Sequence, residues 1–143
     1  MRNTEDIARP RRTGDTIAID GEYQHRATHQ SQYAAQRFWH QKRFEACLEL
    51  LELAPGMRVL DAGCGSGVFS DQIARSPGVH VVAVDANAAA VGFVQHTYAR
   101  ENLEVRRGQV DELAFEPGSF DRIACLEVIE HIHLEQARTM LQT

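Results

Sequence analysis

The chain has 143 residues, enough for one domain with a buried core, and its 43% hydrophobic and 24% charged fractions are ordinary for a globular protein. A net charge of −5 argues against a general nucleic-acid surface, the short basic cluster Arg9 to Arg12 being the local exception. No apolar run approaches the ~18 residues of a membrane span, and the polar opening residues do not follow a secretory leader pattern, so a cytoplasmic, non-membrane location is expected. Three cysteines in apolar or glycine-rich surroundings suit reduced thiols rather than a disulfide framework.

Residues 1–30 are polar with few apolar anchors and are expected to form a mobile N-terminal arm, with Thr16 to Asp20 its one short extended piece. Across 31–53, Phe44, Cys47, Leu48 and Leu51 recur at helical spacing, which predicts a core or lid helix that Pro55-Gly56 stops. Residues 54–143 then alternate. Met57 to Asp61 reads as a strand and Val68 to Arg75 as a helix closed by Ser76-Pro77-Gly78. Val79 to Val84 is a nearly continuous apolar strand of the kind buried on both faces. Asn87 is placed to cap a helix reaching about Arg100, with Val91, Phe93 and Val94 as its core side. Leu103 to Arg107 and Asp121 to Leu126 supply two further strands, with the turn Glu116 to Ser119 between them, and Leu134 to Leu141 begins another helix. The alternation predicts an α/β fold, a Rossmann-like doubly wound parallel sheet whose ligands bind beyond the carboxyl ends of the strands. Asp61, Asp85 and Glu127 all fall at such ends.

The segment Val59-Leu60-Asp61-Ala62-Gly63-Cys64-Gly65-Ser66-Gly67 carries the ligand signal. A strand runs into three alternate glycines and then a helix, so backbone can approach a small molecule where a Cβ would not fit. Dinucleotides and S-adenosylmethionine (AdoMet) both use such a loop. The dinucleotide spacing of glycine, any, glycine, two of any, glycine meets Ser70 at its third position when started at Gly65, and Val68 when started at Gly63. Charge separates the two further. A pyrophosphate would face the Asp61 carboxylate, whereas AdoMet has no phosphate and carries an ammonium and a sulfonium. Asp85, ending the next strand, can accept hydrogen bonds from ribose hydroxyls in either case.

On these residues the chain resembles class I AdoMet-dependent methyltransferases. Val59 to Gly67 looks like their first motif, and Val81 to Asn87 like their second. Gly108 to Phe115 with Phe120-Asp121, and the post-strand segment Leu126 to Ile132, are similar to later motifs. The resemblance implies that Asp61, Gly63, Gly65 and Gly67 hold the methionine end of AdoMet, that Asp85 binds the ribose, that Ala86, Gln109 and Val110 line the adenine side, and that Cys64 and Leu126 also belong to the cofactor site. Gln109 stands where the family often has an acid; its side-chain carbonyl can accept the same hydrogen bond.

Methyl transfer from a sulfonium is an in-line displacement, so alignment and water exclusion dominate, with a base needed only when the acceptor must lose a proton. His131 and Glu127 are the catalytic candidates, His131 because it titrates near neutrality. The string Glu127 to Ile132 also resembles the metal-binding segment of small-RNA 2′-O-methyltransferases and of quinone-biosynthesis O-methyltransferases. The reading without a metal is kept, with Glu127, Glu130 and His131 as the ligands if one binds. Tyr33 and Gln36 to His40 precede the core helix; Phe38 and Trp39 are expected to pack on the domain, a lid over the cofactor being the other reading.

The family usually has seven strands, and about four are expected here, in order 3-2-1-4, which makes the sheet truncated after the fourth strand. A fragment of a longer protein is the favoured explanation; pairing of the exposed fourth strand with a second copy, and a non-catalytic AdoMet-binding module, stay open. The function expected is methyl transfer from AdoMet to a small-molecule acceptor, with the non-catalytic module and a metal-dependent RNA 2′-O-methyltransferase as alternatives. No membrane or nucleic-acid partner is expected.

Overall fold

A computed structural model of the chain describes residues 11–13, 16–18, 20–109, 112, 113, 115–131, 135 and 138. Its centre is a four-stranded parallel sheet built from β3 (Arg58–Ala62), β4 (His80–Asp85), β5 (Leu103–Arg107) and β6 (Arg122–Ala124), in spatial order β5-β4-β3-β6. This is the expected order 3-2-1-4. The register sets Val59 beside Val81 and Arg122, and Asp61 beside Ala83 and Ala124. β3 therefore lies between two partners, and the acid at its end sits in the middle of the sheet's carboxyl edge.

Side chains alternate across the sheet with period two. Val59, Val81 and Ala83 enter one core with Phe44 and Leu51 near the end of α2 (Ala34–Leu50), Phe69 and Ile73 of α3 (Val68–Ala74), and Val94 of α4 (Ala88–Thr97). Phe44 and Phe69 stack at 5.5 Å. Leu60, Ala62, Val82 and Val84 face the other way, against Leu113, Phe115, Phe120 and Cys125. The helices α2, α3 and α4 all bury residues on the first face.

The elements mostly form where residue chemistry places them. Asn87 caps α4 by accepting from the Ala89 N–H at 2.9 Å. Asp121, before β6, accepts from the Arg58 N–H at 2.7 Å and registers β6 on β3. Arg122 donates to the Leu51 carbonyl at 2.8 Å, tying the end of α2 to the same strand.

Several expectations are corrected. α4 ends at Thr97, short of Arg100, and Phe93 is only half-buried because its ring packs on His25 and Tyr98 instead of the core. β6 pairs for three residues only, leaving Cys125 and Leu126 outside the ladder. Phe38 and Trp39 are 62% and 56% exposed, so they do not pack into the domain; Trp39 instead lies against the Arg43 guanidinium. Within the expected arm, β1 (Arg11–Thr13) and β2 (Thr16–Ala18) pair antiparallel. Further along, α1 (Tyr23–His25) and a π-helical stretch (Arg26–Gln30) bury Ala27 and Thr28. The helix expected at Leu134 to Leu141 lies almost wholly outside the described residues. All three cysteines are free thiols. Among the described residues no helix is long and apolar enough to cross a membrane. Among the described residues β6 is the edge of the sheet, with Ile123 exposed.

Candidate functional site

The loop after β3 turns on left-handed glycines. Gly63, Gly65 and Gly67 have φ of 77°, 52° and 72°, a region that penalises side chains. Space forbids a Cβ as well: one at Gly63 would lie 2.2 Å from Val128 Cγ2, and one at Gly67 2.6 Å from Val94 Cγ2. The N–H groups of Gly63 and Cys64 both donate to the Val84 carbonyl, at 2.8 and 2.9 Å, which ties the loop to the end of β4.

Asp61 is 2% exposed and faces α3. Its Oδ2 accepts from the Ser70 hydroxyl at 2.5 Å, and among the described residues no cation pairs with it. Burial pushes the Asp61 carboxyl up to about 6; the Ser70 hydrogen bond opposes the rise and the charge of Asp85 adds to it. The position where a dinucleotide loop would want its third glycine thus holds the hydroxyl that supports this acid. A buried carboxylate with one neutral donor is costly unless a cation arrives.

Asp85 sits across the loop. Its Oδ2 accepts from the Gly65 N–H and its Oδ1 from the Asn87 N–H, each at 2.8 Å. Asp85 therefore braces the loop itself. Ala86 is exposed beside it. Gln109 is exposed and donates to Glu112 at 3.1 Å, and Leu126 is half-buried against the main core. The Cys64 side chain is buried, and burial pushes its thiol far up, which makes it a packing group rather than a nucleophile. Val110 lies outside the described residues.

After β6 the chain passes through Glu127, with φ 57°, into a 3-10 turn at Ile129–His131. Glu127 and Glu130 are exposed. The carboxylate of Glu127 is paired with Arg43 of α2. The side chain of His131 is not among the described parts, and no group of three metal-ligating side chains occurs among the described residues.

Sequence reasoning missed the residues that cover the loop. Gln24 lies so close to Gly65 that a Cβ there would stand 3.0 Å from its amide oxygen. The His25 N–H donates to the Ser66 hydroxyl at 2.8 Å, and its Nδ1 lies 2.7 Å from the Tyr98 hydroxyl. Gly21 fits against the backbone of Ala89 and Ala90, where a Cβ would clash at 2.6 Å. No local pattern announces these contacts. The one signal was a glycine and two histidines in a stretch with few apolar residues.

A family described as methyltransferase domain matches residues 59–143. The chain is 41% identical over 81 residues to a ubiquinone biosynthesis O-methyltransferase of Hahella chejuensis, an alignment covering 54% of this chain and 34% of that protein. It thus spans about a third of the length of the curated relatives it matches. Among solved structures, magnesium protoporphyrin IX methyltransferase from Synechocystis PCC 6803 with bound SAM superposes with a TM-score of 0.66 at 25% identity, covering 85% of this chain and 62% of that one. The [4+2]-cyclase SpnF shares the fold, with a TM-score of 0.57 at 17% identity over 66% of this chain and 37% of that one.

Proposed function

Because this chain belongs to the methyltransferase-domain family, we propose that it binds AdoMet at the loop after β3 and takes part in methyl transfer to a hydroxyl of a small molecule. The observation that carries this reading is Asp61: a buried acid at the loop with a hydroxyl donor and no cation partner among the described residues. It fits a ligand bringing its own positive charge and opposes one bringing a pyrophosphate. AdoMet, when bound, supplies a methyl group on a sulfonium.

The roles proposed for the chain's residues follow the family resemblance of its motifs. Asp61, at the base of the cradle formed by Gly63, Cys64, Gly65 and Gly67, would attract the ammonium of the methionine end. Asp85 keeps lone pairs beyond its two backbone hydrogen bonds and would accept from ribose hydroxyls. Ala86, Gln109 and Val110 would border the adenine, and Leu126 would belong to the same cofactor site. His131 would take the proton lost by the acceptor hydroxyl, and Glu127 would orient that hydroxyl. The acceptor class rests on the O-methyltransferase relative.

Calorimetric titration with AdoMet and, separately, NAD tests the binding reading: AdoMet binds and NAD binds more weakly or not at all, whereas tighter binding of NAD contradicts it. AdoMet binding without transfer is the alternative to this reading. Methyl-labelled AdoMet with a panel of small phenolic acceptors separates the two; a labelled product removes the alternative.

A further inference from the structure

Two non-glycine residues among those described have left-handed backbone, Glu52 and Glu127. Glu52 follows the end of α2, where such a conformation is an ordinary helix stop. Glu127 ends no helix, and a residue with a Cβ resists this conformation, so surrounding structure must hold it there.

The Glu127 carboxylate is paired with Arg43. The Arg43 side chain is 17% exposed, and its guanidinium lies over the Trp39 ring at 4.7 Å and the Phe44 ring at 4.8 Å. Nη2 is 3.3 Å from His40 Nδ1, and Nη1 donates to Glu127 Oε1. Its Nε is buried with no partner among the described residues. Flanking rings fix a guanidinium plane and fork in a way a lysine could not reproduce. The next residue, Val128, is the one a Cβ at Gly63 would strike. A continuous path therefore runs from α2 through Arg43, Glu127 and Val128 to the first glycine of the loop.

Resting on the proposed AdoMet reading, we infer that Arg43 is a positioning residue: it holds Glu127 in its left-handed turn, which keeps Val128 pressed on Gly63 and the glycine loop in its binding shape. The pair spans 84 positions of sequence, so it joins segments that no local preference joins.

The test uses the whole 143-residue chain, with AdoMet titrated calorimetrically and thermal unfolding followed in parallel. Arg43→Ala weakens AdoMet binding roughly tenfold, the scale of one lost charged hydrogen bond. Arg43→Lys recovers only part of this. Adding Glu127→Gly to Arg43→Ala restores affinity to within about threefold of the parent, because glycine adopts the left-handed turn without a partner. A folded Arg43→Ala that binds like the parent overturns the inference, and so does a double variant that binds no better than Arg43→Ala. Hydrogen exchange of the Gly63 and Cys64 amides in the ligand-free protein gives an independent reading: faster in Arg43→Ala, restored in the double variant. If the parent fails to bind AdoMet while exchange follows this pattern, the function reading falls and the positioning role stands. Unchanged exchange overturns the positioning role itself.

Discussion

Asp61, at the end of β3, and Asp71, in α3, are 2% and 3% exposed, yet the chain surrounds them in opposite ways. Asp71 has two guanidiniums: Arg75 donates from Nε and Nη2 at 3.0 and 2.7 Å to one oxygen, and Arg100 from Nε at 2.5 Å to the other. Among the described residues Asp61 has a single partner, the Ser70 hydroxyl. Burying a charge is tolerated when cations and hydrogen bonds satisfy it, so Asp71 is complete and joins α3 to the chain after α4. Asp61 is incomplete. On the proposed reading the ligand's cationic end completes it, and the ligand-free protein carries the cost.

Replacing each acid should separate the two roles. Asp61→Asn should weaken AdoMet binding by about a hundredfold or more, since a buried ion pair is lost, while raising the stability of the empty protein by up to about 2 kcal/mol at pH 8. Titration and thermal unfolding on the same samples check both halves, and a variant that loses stability and keeps affinity breaks the comparison. Asp71→Asn should do the reverse. It should cost about 2 kcal/mol of stability, discounted because Arg75 is largely exposed, and leave AdoMet affinity within about twofold.

Acidity sharpens the contrast. The Asp61 carboxyl is raised from its ordinary 3.8 to about 6, chiefly by burial, so the empty fold favours the protonated form. Stability of the empty protein should therefore fall as pH rises from about 4 to about 6, by about 3 kcal/mol if the whole shift is expressed, and level off above that. A cationic ligand needs the ionised form, so AdoMet affinity should be full above pH 6 and drop about tenfold per unit below it. Unfolding and titration series between pH 4.5 and 8 read both trends. The smallest effect is expected of Ser70→Ala. It removes the donor that holds the acid down, moving the midpoint of the affinity curve upward and weakening binding about threefold at neutral pH.

What the sequence disclosed and what it hid follow from separation along the chain. Asp61 and Asp85 end strands and the three glycines take left-handed turns, so residue type and the strand-loop-helix pattern mark them even though Asp85 reaches Gly65 across 20 positions. The cap at Asn87 and the strand order were legible for the same reason. Arg43 with Glu127, Arg100 with Asp71, and Gln24 over Gly65 bring distant segments together, and nothing local in those residues marks the partner. Trp39 was misjudged because an aromatic beside a core helix ordinarily packs inward; here the partly buried guanidinium of Arg43 offers its outer surface a better neighbour. Cys125 and Leu126 extended an apolar pattern that the ladder abandons at Ala124, where the turn leading to Glu127 begins.

Proton counting reads out whether Asp61 awaits a cationic ligand. AdoMet is titrated at pH 6 in two buffers of different ionisation heat, with the parent chain and with Asp61→Asn. Binding that ionises a carboxyl near its midpoint should release about half a proton from the parent and essentially none from the variant. Equal proton release from both, or AdoMet binding as tight in Asp61→Asn as in the parent, would contradict the account.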